Sequence, residues 1–241
     1  MQYGDISMVY DALMYDIPYK AWAEYIFKKI NGAKTVLELG SGTGSMTMEL
    51  ASRYDVQALD ISSDMLEVAR EKLIKNGKSA RLISGDMCDF SLHKPVDAVV
   101  SVCDGINYLI TPEKVKQAFL SVYKNLKPNG KFIFDISTEY KLKGMDGQLY
   151  SEDADDVTYI WRNKYENKII TMDIAFFVHE EDENYFRFDE THLQRAHSKD
   201  EIEAWLNECG FDLISVTDDY TENSVTEQTM RMTFCAARKE G

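Results

Sequence analysis

Glu38-Leu39-Gly40-Ser41-Gly42-Thr43-Gly44 is the stretch whose reading decides the fold. It begins inside Thr35-Val36-Leu37-Glu38-Leu39, a short and mostly apolar run that predicts a buried strand. It ends where about Gly44 to Arg53 takes on helical patterning. A strand that passes through glycines into a helix opens a β-α-β unit. Gly40 allows the tight exit from the strand, Gly42 lets the backbone approach a ligand, and Gly44 permits close packing of helix on strand. Val56 to Asp60 then reads as the second strand, and Ser62 or Ser63 can cap a helix carrying Met65, Leu66, Ala69 and Leu73.

The alternation continues outward. Strands are expected near Ala80 to Ser84, Val96 to Val102 and Lys131 to Ile136, the last preceded by a Pro128-Asn129-Gly130 turn. Pro112 suits the start of a helix through Val115, Ala118, Phe119 and Val122, and an earlier helix runs from Tyr19 to Ile30. This order predicts an α/β fold with helices on both faces of a mostly parallel sheet. From about Asp155 to Arg195 the period changes to two, in runs containing Val157, Tyr159 and Trp161, then Ile170 to Val178, then Phe186 and Phe188. Turns are expected at Glu166-Asn167-Lys168 and Glu181 to Asn184. We read residues 148–195 as an antiparallel β layer inserted after the fifth core strand of a single domain, 1–241. A helix from Lys199 to Glu208, a stop at Gly210 and strands at Phe211 to Thr217 and Met230 to Ala237 complete the chain.

The 241 residues, 44% of them hydrophobic, are enough to bury one core. The opening residues do not resemble a secretion signal and no segment has the length and apolarity of a bilayer span, so a cytoplasmic location is expected. Cys88, Cys103, Cys209 and Cys235 form no CxxC pair and the histidines no HExxH motif, so neither a disulfide framework nor a metal site is expected. A formal charge of -14 disfavours nucleic acid and favours a cationic cofactor or an amine.

Asp60 closes the second strand twenty residues after Gly40, where a carboxylate can accept from ribose hydroxyls. Met65 can cover an adenine face, and Asp86, just past the third strand, can accept from the adenine amino group. A dinucleotide oxidoreductase is the competing reading, with a noncatalytic nucleotide-binding module as a third. Ser45 weakens the oxidoreductase reading, because it stands where the GxGxxG spacing needs a glycine. Glu38 also weakens it, being awkward beside a pyrophosphate but suited to an ammonium.

Taken together, Val36 to Gly44 with its acidic Glu38, then Asp60, Gly85-Asp86-Met87 and Val100 to Asp104 strongly resemble the motifs of class I S-adenosylmethionine-dependent methyltransferases. The resemblance implies an enzyme with S-adenosyl-L-methionine as cofactor and a Rossmann-like seven-stranded sheet of order 3-2-1-4-5-7-6, its final strand, Met230 to Ala237, antiparallel. It implies cofactor contacts from Tyr19, Glu38, Gly40, Gly42, Gly44, Asp60, Ile61, Met65, Asp86, Met87 and Asp104.

Acceptor chemistry is expected around Asp104-Gly105-Ile106-Asn107-Tyr108-Leu109, past the fourth strand at the sheet edge where such folds bind ligands. Asp104 can orient an ammonium or the acceptor, Asn107 can do so through its amide, and Tyr108 can form an aromatic wall. Tyr3, Tyr10, Met14, Tyr15, Tyr19 and Trp22 could fold over this edge, with Tyr10 and Tyr19 the best pocket candidates. In Phe186 to Arg195, strand alternation puts Glu190, His192 and Gln194 on one face with Phe186 and Phe188. There His192 can accept a proton and Gln194 can orient a carbonyl or hydroxyl, while Arg195 on the other face pairs with a surface acid. The candidate catalytic residues are therefore His192, Tyr10 and Asn107; the acceptor-binding set adds Tyr108 and Gln194. Trp161, Phe176, Phe177 and Phe186 could line a pocket lid, which we favour, or a homodimer interface. These elements resemble small-molecule methyltransferases, including glycine and amino-sugar N-methyltransferases. That resemblance implies a small polar acceptor, with nitrogen ahead of oxygen or carbon and an RNA or protein acceptor as the alternative.

Overall fold

In the computed structural model, residues 6–154, 156–180 and 184–240 are described; Tyr3 and most of the expected Glu181 to Asn184 turn lie outside them. The interior strand β1 (Thr35–Leu39) is buried on both faces, with Val36, Leu37 and Leu39 at 0% exposure. Burial on both faces is what a strand inside a helix-covered parallel sheet shows, and β1 pairs in parallel with β2 (Asp55–Asp60) and β4 (Val96–Ser101). With β3 (Arg81–Ser84), β5 (Leu126–Ser137), β10 (Phe211–Asp218) and β11 (Arg231–Arg238), the seven-stranded sheet has the order β10-β11-β5-β4-β1-β2-β3. β11 runs antiparallel to both neighbours, so the implied strand order and final-strand direction are both present.

Alternation along the strands divides the core. Leu37, Leu39, Phe132 and Phe134 face α5 (Pro112–Asn125) and α7 (Lys199–Glu208) through Phe119 and Trp205. Val36, Val100 and Ile133 face α2 (Tyr19–Lys29) and α3 (Ser45–Leu50) through Trp22, Ile26 and Met46. Local signals set the helix starts: the Ser62 hydroxyl accepts from the Met65 N–H at 3.2 Å to begin α4 (Ser63–Lys75), and Thr111 caps α5 with Pro112 in its first turn.

Pro128-Asn129-Gly130 does not end a segment before the fifth strand. Val96 pairs with Leu126 and Ala98 with Lys131, so the strand continues through a looped-out bulge that includes Asn129 at φ 62°. A short α6 (Glu139–Gly144) precedes the insertion, a four-stranded antiparallel sheet of β6 (Leu149–Ala154), β7 (Val157–Glu166), β8 (Ile169–His179) and β9 (Tyr185–Arg195). Asn167 and Lys168, at φ 53° and 65°, make the two-residue hairpin turn between β7 and β8.

Ile174, Phe176 and Phe188 of this sheet pack on Ile6 and Val9 and on Met65 of α4. The N-terminal 3-10 turn (Ile6–Met8) and α1 (Tyr10–Leu13) therefore fill the space between the two layers. Trp22 is not part of this cover: it is buried under the main sheet and stacks on Tyr220, with ring centroids 4.6 Å apart. Among the described residues, no helix is long and apolar enough to cross a membrane.

Gly44 plays a different role from the helix-on-strand packing expected of it. At φ 79° it is the residue before α3, and a Cβ there would lie 2.9 Å from the Ala69 Cβ, so it brings α3 against α4. Left-handed strain and overpacking act together at this position. Gly44→Ala should lower stability by about 2–4 kcal/mol, read from urea unfolding; a change under about 0.5 kcal/mol would contradict this packing account.

Candidate active site

A cavity of about 430 Å³ opens at the carboxyl edge of β1, β2 and β4. The turns supply Gly40, Gly42, Asp60, Ile61, Met65, Asp86 and Met87 to its wall. Val102, Cys103, Gly105 and Tyr108 come from the segment after β4, Ile6 and Tyr10 from the N-terminal cover, and Thr191, His192 and Leu193 from β9. A smaller annex is lined by Tyr10, Tyr19, Glu38, the Gly40 to Thr43 turn and Cys103. The main sheet, N-terminal segment and insertion thus meet at one site.

The turn after β1 is held open by backbone geometry. Gly40 and Gly42 have φ 65° and 52°; a Cβ on Gly40 would lie 3.5 Å from Met87, and one on Gly42 would lie 3.8 Å from Tyr10, filling the cradle. Asp60 Oδ2 accepts from the Gly42 N–H at 2.7 Å and Oδ1 from the Ser62 N–H at 2.9 Å. Burial pushes this carboxyl up, while hydrogen bonds from the Ser62, Gly42 and Ile61 N–H groups pull it down. These N–H donors leave a carboxylate with acceptor capacity toward the cavity, as vicinal hydroxyls require. Asp86, exposed at the far wall, accepts from the Cys88 N–H at 2.8 Å.

Glu38 is 1% exposed in the annex wall and accepts from the Thr47 hydroxyl. Burial pushes its carboxyl up to about 8; the Thr47 hydrogen bond lowers it, Asp60 raises it and Lys72 lowers it. Nearby, the Ser41 hydroxyl is buried without a hydrogen-bond partner. A buried acid held largely protonated near pH 7 until a cation arrives, an orphaned hydroxyl and a glycine cradle suit the charged amino-acid end of S-adenosylmethionine. Asp60 and Asp86 suit the ribose and adenine ends.

On the acceptor side, Tyr108 and His192 meet across the wall, with Oη and Nδ1 3.4 Å apart and rings edge to face at 5.9 Å. Burial pushes the His192 imidazole below its ordinary value, so the ring is neutral at pH 7. Burial likewise raises the Tyr10 phenol well above its ordinary range, followed by the influence of Cys103, Tyr108, Asp60 and Asp104. Tyr10 therefore offers a hydroxyl and not a phenolate base. Tyr19 reaches the annex, where the Cys103 thiol donates to its oxygen at 3.6 Å.

Four expected residues do not line either cavity: Gly44, Asp104, Asn107 and Gln194. Asn107 is fully buried; its amide donates to the Ser137 and Arg195 carbonyls, and its oxygen accepts from the Ser137 N–H at 2.9 Å. These three bonds join the loop after β4 to β5 and β9, so the Asn107 side chain serves as a clamp and lines neither cavity. Asp104 turns away to Arg231 and Lys141. Gln194 shares the buried face with His192 but lies farther along β9. Arg195 pairs with Glu201 at 2.6 Å, as expected of the opposite face.

The sequence reading missed a latch: Asp11 accepts from Thr43 at 2.6 Å and from Lys72 at 2.8 Å, joining the N-terminal cover to the glycine turn and α4. Its members are far apart in sequence and match no spacing rule. Among the described residues, no group of three His, Cys, Asp or Glu side chains could hold a metal ion.

A family profile described as "Methyltransferase domain" matches residues 36–130. The "Putative methyltransferase YqeM" of Bacillus subtilis (strain 168) is 33% identical over 245 residues, covering 100% of this chain and 98% of its own. A crystal structure of an S-adenosylmethionine-dependent methyltransferase from Clostridium acetobutylicum ATCC 824 superimposes with a TM-score of 0.90 at 31% identity, covering 99% of each chain. The "dTDP-3-amino-3,4,6-trideoxy-alpha-D-glucopyranose N,N-dimethyltransferase" of Streptomyces venezuelae is 26% identical over 192 residues, 78% of this chain and 79% of its own.

Two measurements test the cofactor wall. Asp60→Ala should weaken binding of S-adenosylhomocysteine by about 1.5–3 kcal/mol, the range for hydrogen bonds to a charged group; an unchanged dissociation constant would remove Asp60 from the site. Folding favours protonated Glu38, so its contribution to stability is full below its ordinary 4.5 and is lost as pH rises through about 8. An arriving ammonium reverses that preference, so binding of S-adenosylmethionine near pH 7 should release up to about one proton. Calorimetry in buffers of different ionisation enthalpy should detect the release, and Glu38→Gln should abolish it. The sheet order, the glycine cradle between two carboxylates, and relatives matched along the full length together place this chain among the class I S-adenosylmethionine-dependent methyltransferases.

Proposed function

We propose that the enzyme methylates a small polar acceptor, with nitrogen preferred over oxygen or carbon, bound between Tyr10, Tyr108 and His192. The observation that carries this reading is the Tyr108 and His192 pair, set 3.4 Å apart in the wall of the cavity that the glycine turn also lines. Once bound, S-adenosylmethionine supplies an electrophilic methyl group on a sulfonium sulfur. The chain's residues then have two tasks, aligning a lone pair with that methyl and receiving a proton from an acceptor that carries one.

An amine must shed its proton before it can attack, and a neutral, partly desolvated His192 can take it. Tyr10 and Tyr108 can orient the acceptor through their hydroxyls. The chain's net charge of -14 favours amines and works against polyanions. The Streptomyces venezuelae relative, named for N,N-dimethylation of an amino sugar, gives the same direction. A cytoplasmic location accords with this reading.

With a screened amine acceptor, His192→Ala should lower kcat/KM at least about tenfold, or roughly 1.4 kcal/mol, with cofactor affinity nearly unchanged. The wild-type profile of kcat/KM against pH should fall on the acid side with a midpoint below 6.5, because burial lowers the His192 value. That limb should vanish in the variant. Identical profiles for the two proteins would return His192 to a packing role.

A further inference from the structure

Behind the cavity wall lies a buried charge cluster that neither cofactor contact nor acceptor chemistry uses. Its first element is backbone: Cys103 and Asp104 are consecutive non-glycine residues in the left-handed region, at φ 58° and 64°. L side chains disfavour this conformation, and it persists where the surroundings over-determine it. Here the determinant is Asp135 of β5, at 0% exposure. Its Oδ1 accepts from the Asp104 N–H at 2.7 Å and its Oδ2 from the Cys103 N–H at 3.1 Å.

Arg231, the first residue of β11, braces the arrangement. Its Nη1 lies 2.8 Å from Asp135 Oδ2 and 2.5 Å from Asp104 Oδ1. The Tyr220 hydroxyl donates to Asp135 at 2.6 Å, and the guanidinium lies over the Trp22 ring at 4.9 Å. Burial pushes the Asp135 carboxyl up and Arg231 pulls it down. Four donors surround this carboxyl, which favours the ionised form.

A buried ion cluster is weak evidence for stability, since apolar residues of similar volume often serve a core as well. Its location supplies a better reason. β4, β5 and β11 are adjacent strands, and the segment that leaves β4 here brings Val102, Cys103 and Gly105 into the cavity wall. Gly105 is constrained as well, since a Cβ there would lie 2.8 Å from Ser101 Oγ. We propose that Asp135 and Arg231 are positioning residues for methyl transfer: by imposing the left-handed Cys103-Asp104 turn, they fix the cofactor-side wall without touching either reactant. This rests on the cofactor cavity and not on the identity of the acceptor.

The test is calorimetric titration with S-adenosylhomocysteine, which needs no acceptor, paired with urea unfolding of the same proteins. In Asp135→Asn, an amide N–H must face one of the donors that the carboxylate satisfied. We expect binding at least about tenfold weaker in a folded protein. Adding Cys103→Gly, which makes φ near 58° acceptable without a clamp, should recover at least about threefold of that loss. A structural role alone predicts no such recovery, because glycine adds no contact. Arg231→Lys, whose ammonium cannot reproduce the planar fork, provides the same pair of measurements if Asp135→Asn does not fold. Binding within about twofold of wild type in the folded variant, or weakened binding with no recovery on adding glycine, would overturn the proposal.

Discussion

The hydrogen bond from the Gly42 N–H to Asp60, 2.7 Å long, joins the ends of the neighbouring strands β1 and β2 at the place where the chain leaves both. Two further bonds reinforce it, from the Gly40 and Ser41 N–H groups to the Leu59 carbonyl at 2.8 and 3.1 Å. Gly40 and Gly42 adopt φ 65° and 52° here, the left-handed region that favours glycine, which is why glycines occupy these two positions. With the turn fixed, α3 follows its N-cap Gly44 and α4 follows its N-cap Ser62. The same carboxylate that organises the turn remains able to accept from a ligand, so folding and binding draw on one group.

Above this turn, enclosure comes from packing more than from hydrogen bonds. Ile6 and Val9 are buried between the insertion and α4, and Met65 belongs at once to that apolar cluster and to the cavity wall. Burying side chains of this size contributes roughly 1.5–3 kcal/mol each, well above the worth of an exposed ion pair such as Asp11 with Lys72. The latch therefore fixes where the cover sits, and the apolar contacts hold it down.

The parallel core was legible because its signals are local. Strand period, cap residues and the glycine spacing each act within a few residues, and β1 to β4 fall close to where those signals put them. The cofactor wall was legible for the same reason, through Gly40, Gly42, Asp60 and Asp86. Elements with weak local signals were harder: β6 reads Leu-Tyr-Ser-Glu-Asp-Ala, an edge strand with two acids and an exposed Leu149. Side-chain direction was the least legible property. Asp104 and Asn107 sit on the expected loop, but their partners come from positions 135, 137, 195 and 231, and nothing within the loop specifies those encounters.

The bulge in β5 separates the sheet's two ends by task. Leu126 to Gly130 lie at the amino end of that strand, whereas every turn that reaches the cavity leaves a strand at its carboxyl end. The bulge is anchored locally: Arg238 bonds the Leu126 carbonyl, and Asn129 reaches Glu240 at 2.6 Å. A spectroscopic label attached at position 129 would therefore follow the integrity of the scaffold while remaining blind to ligand, which makes this edge a natural internal reference for separating loss of binding from loss of fold.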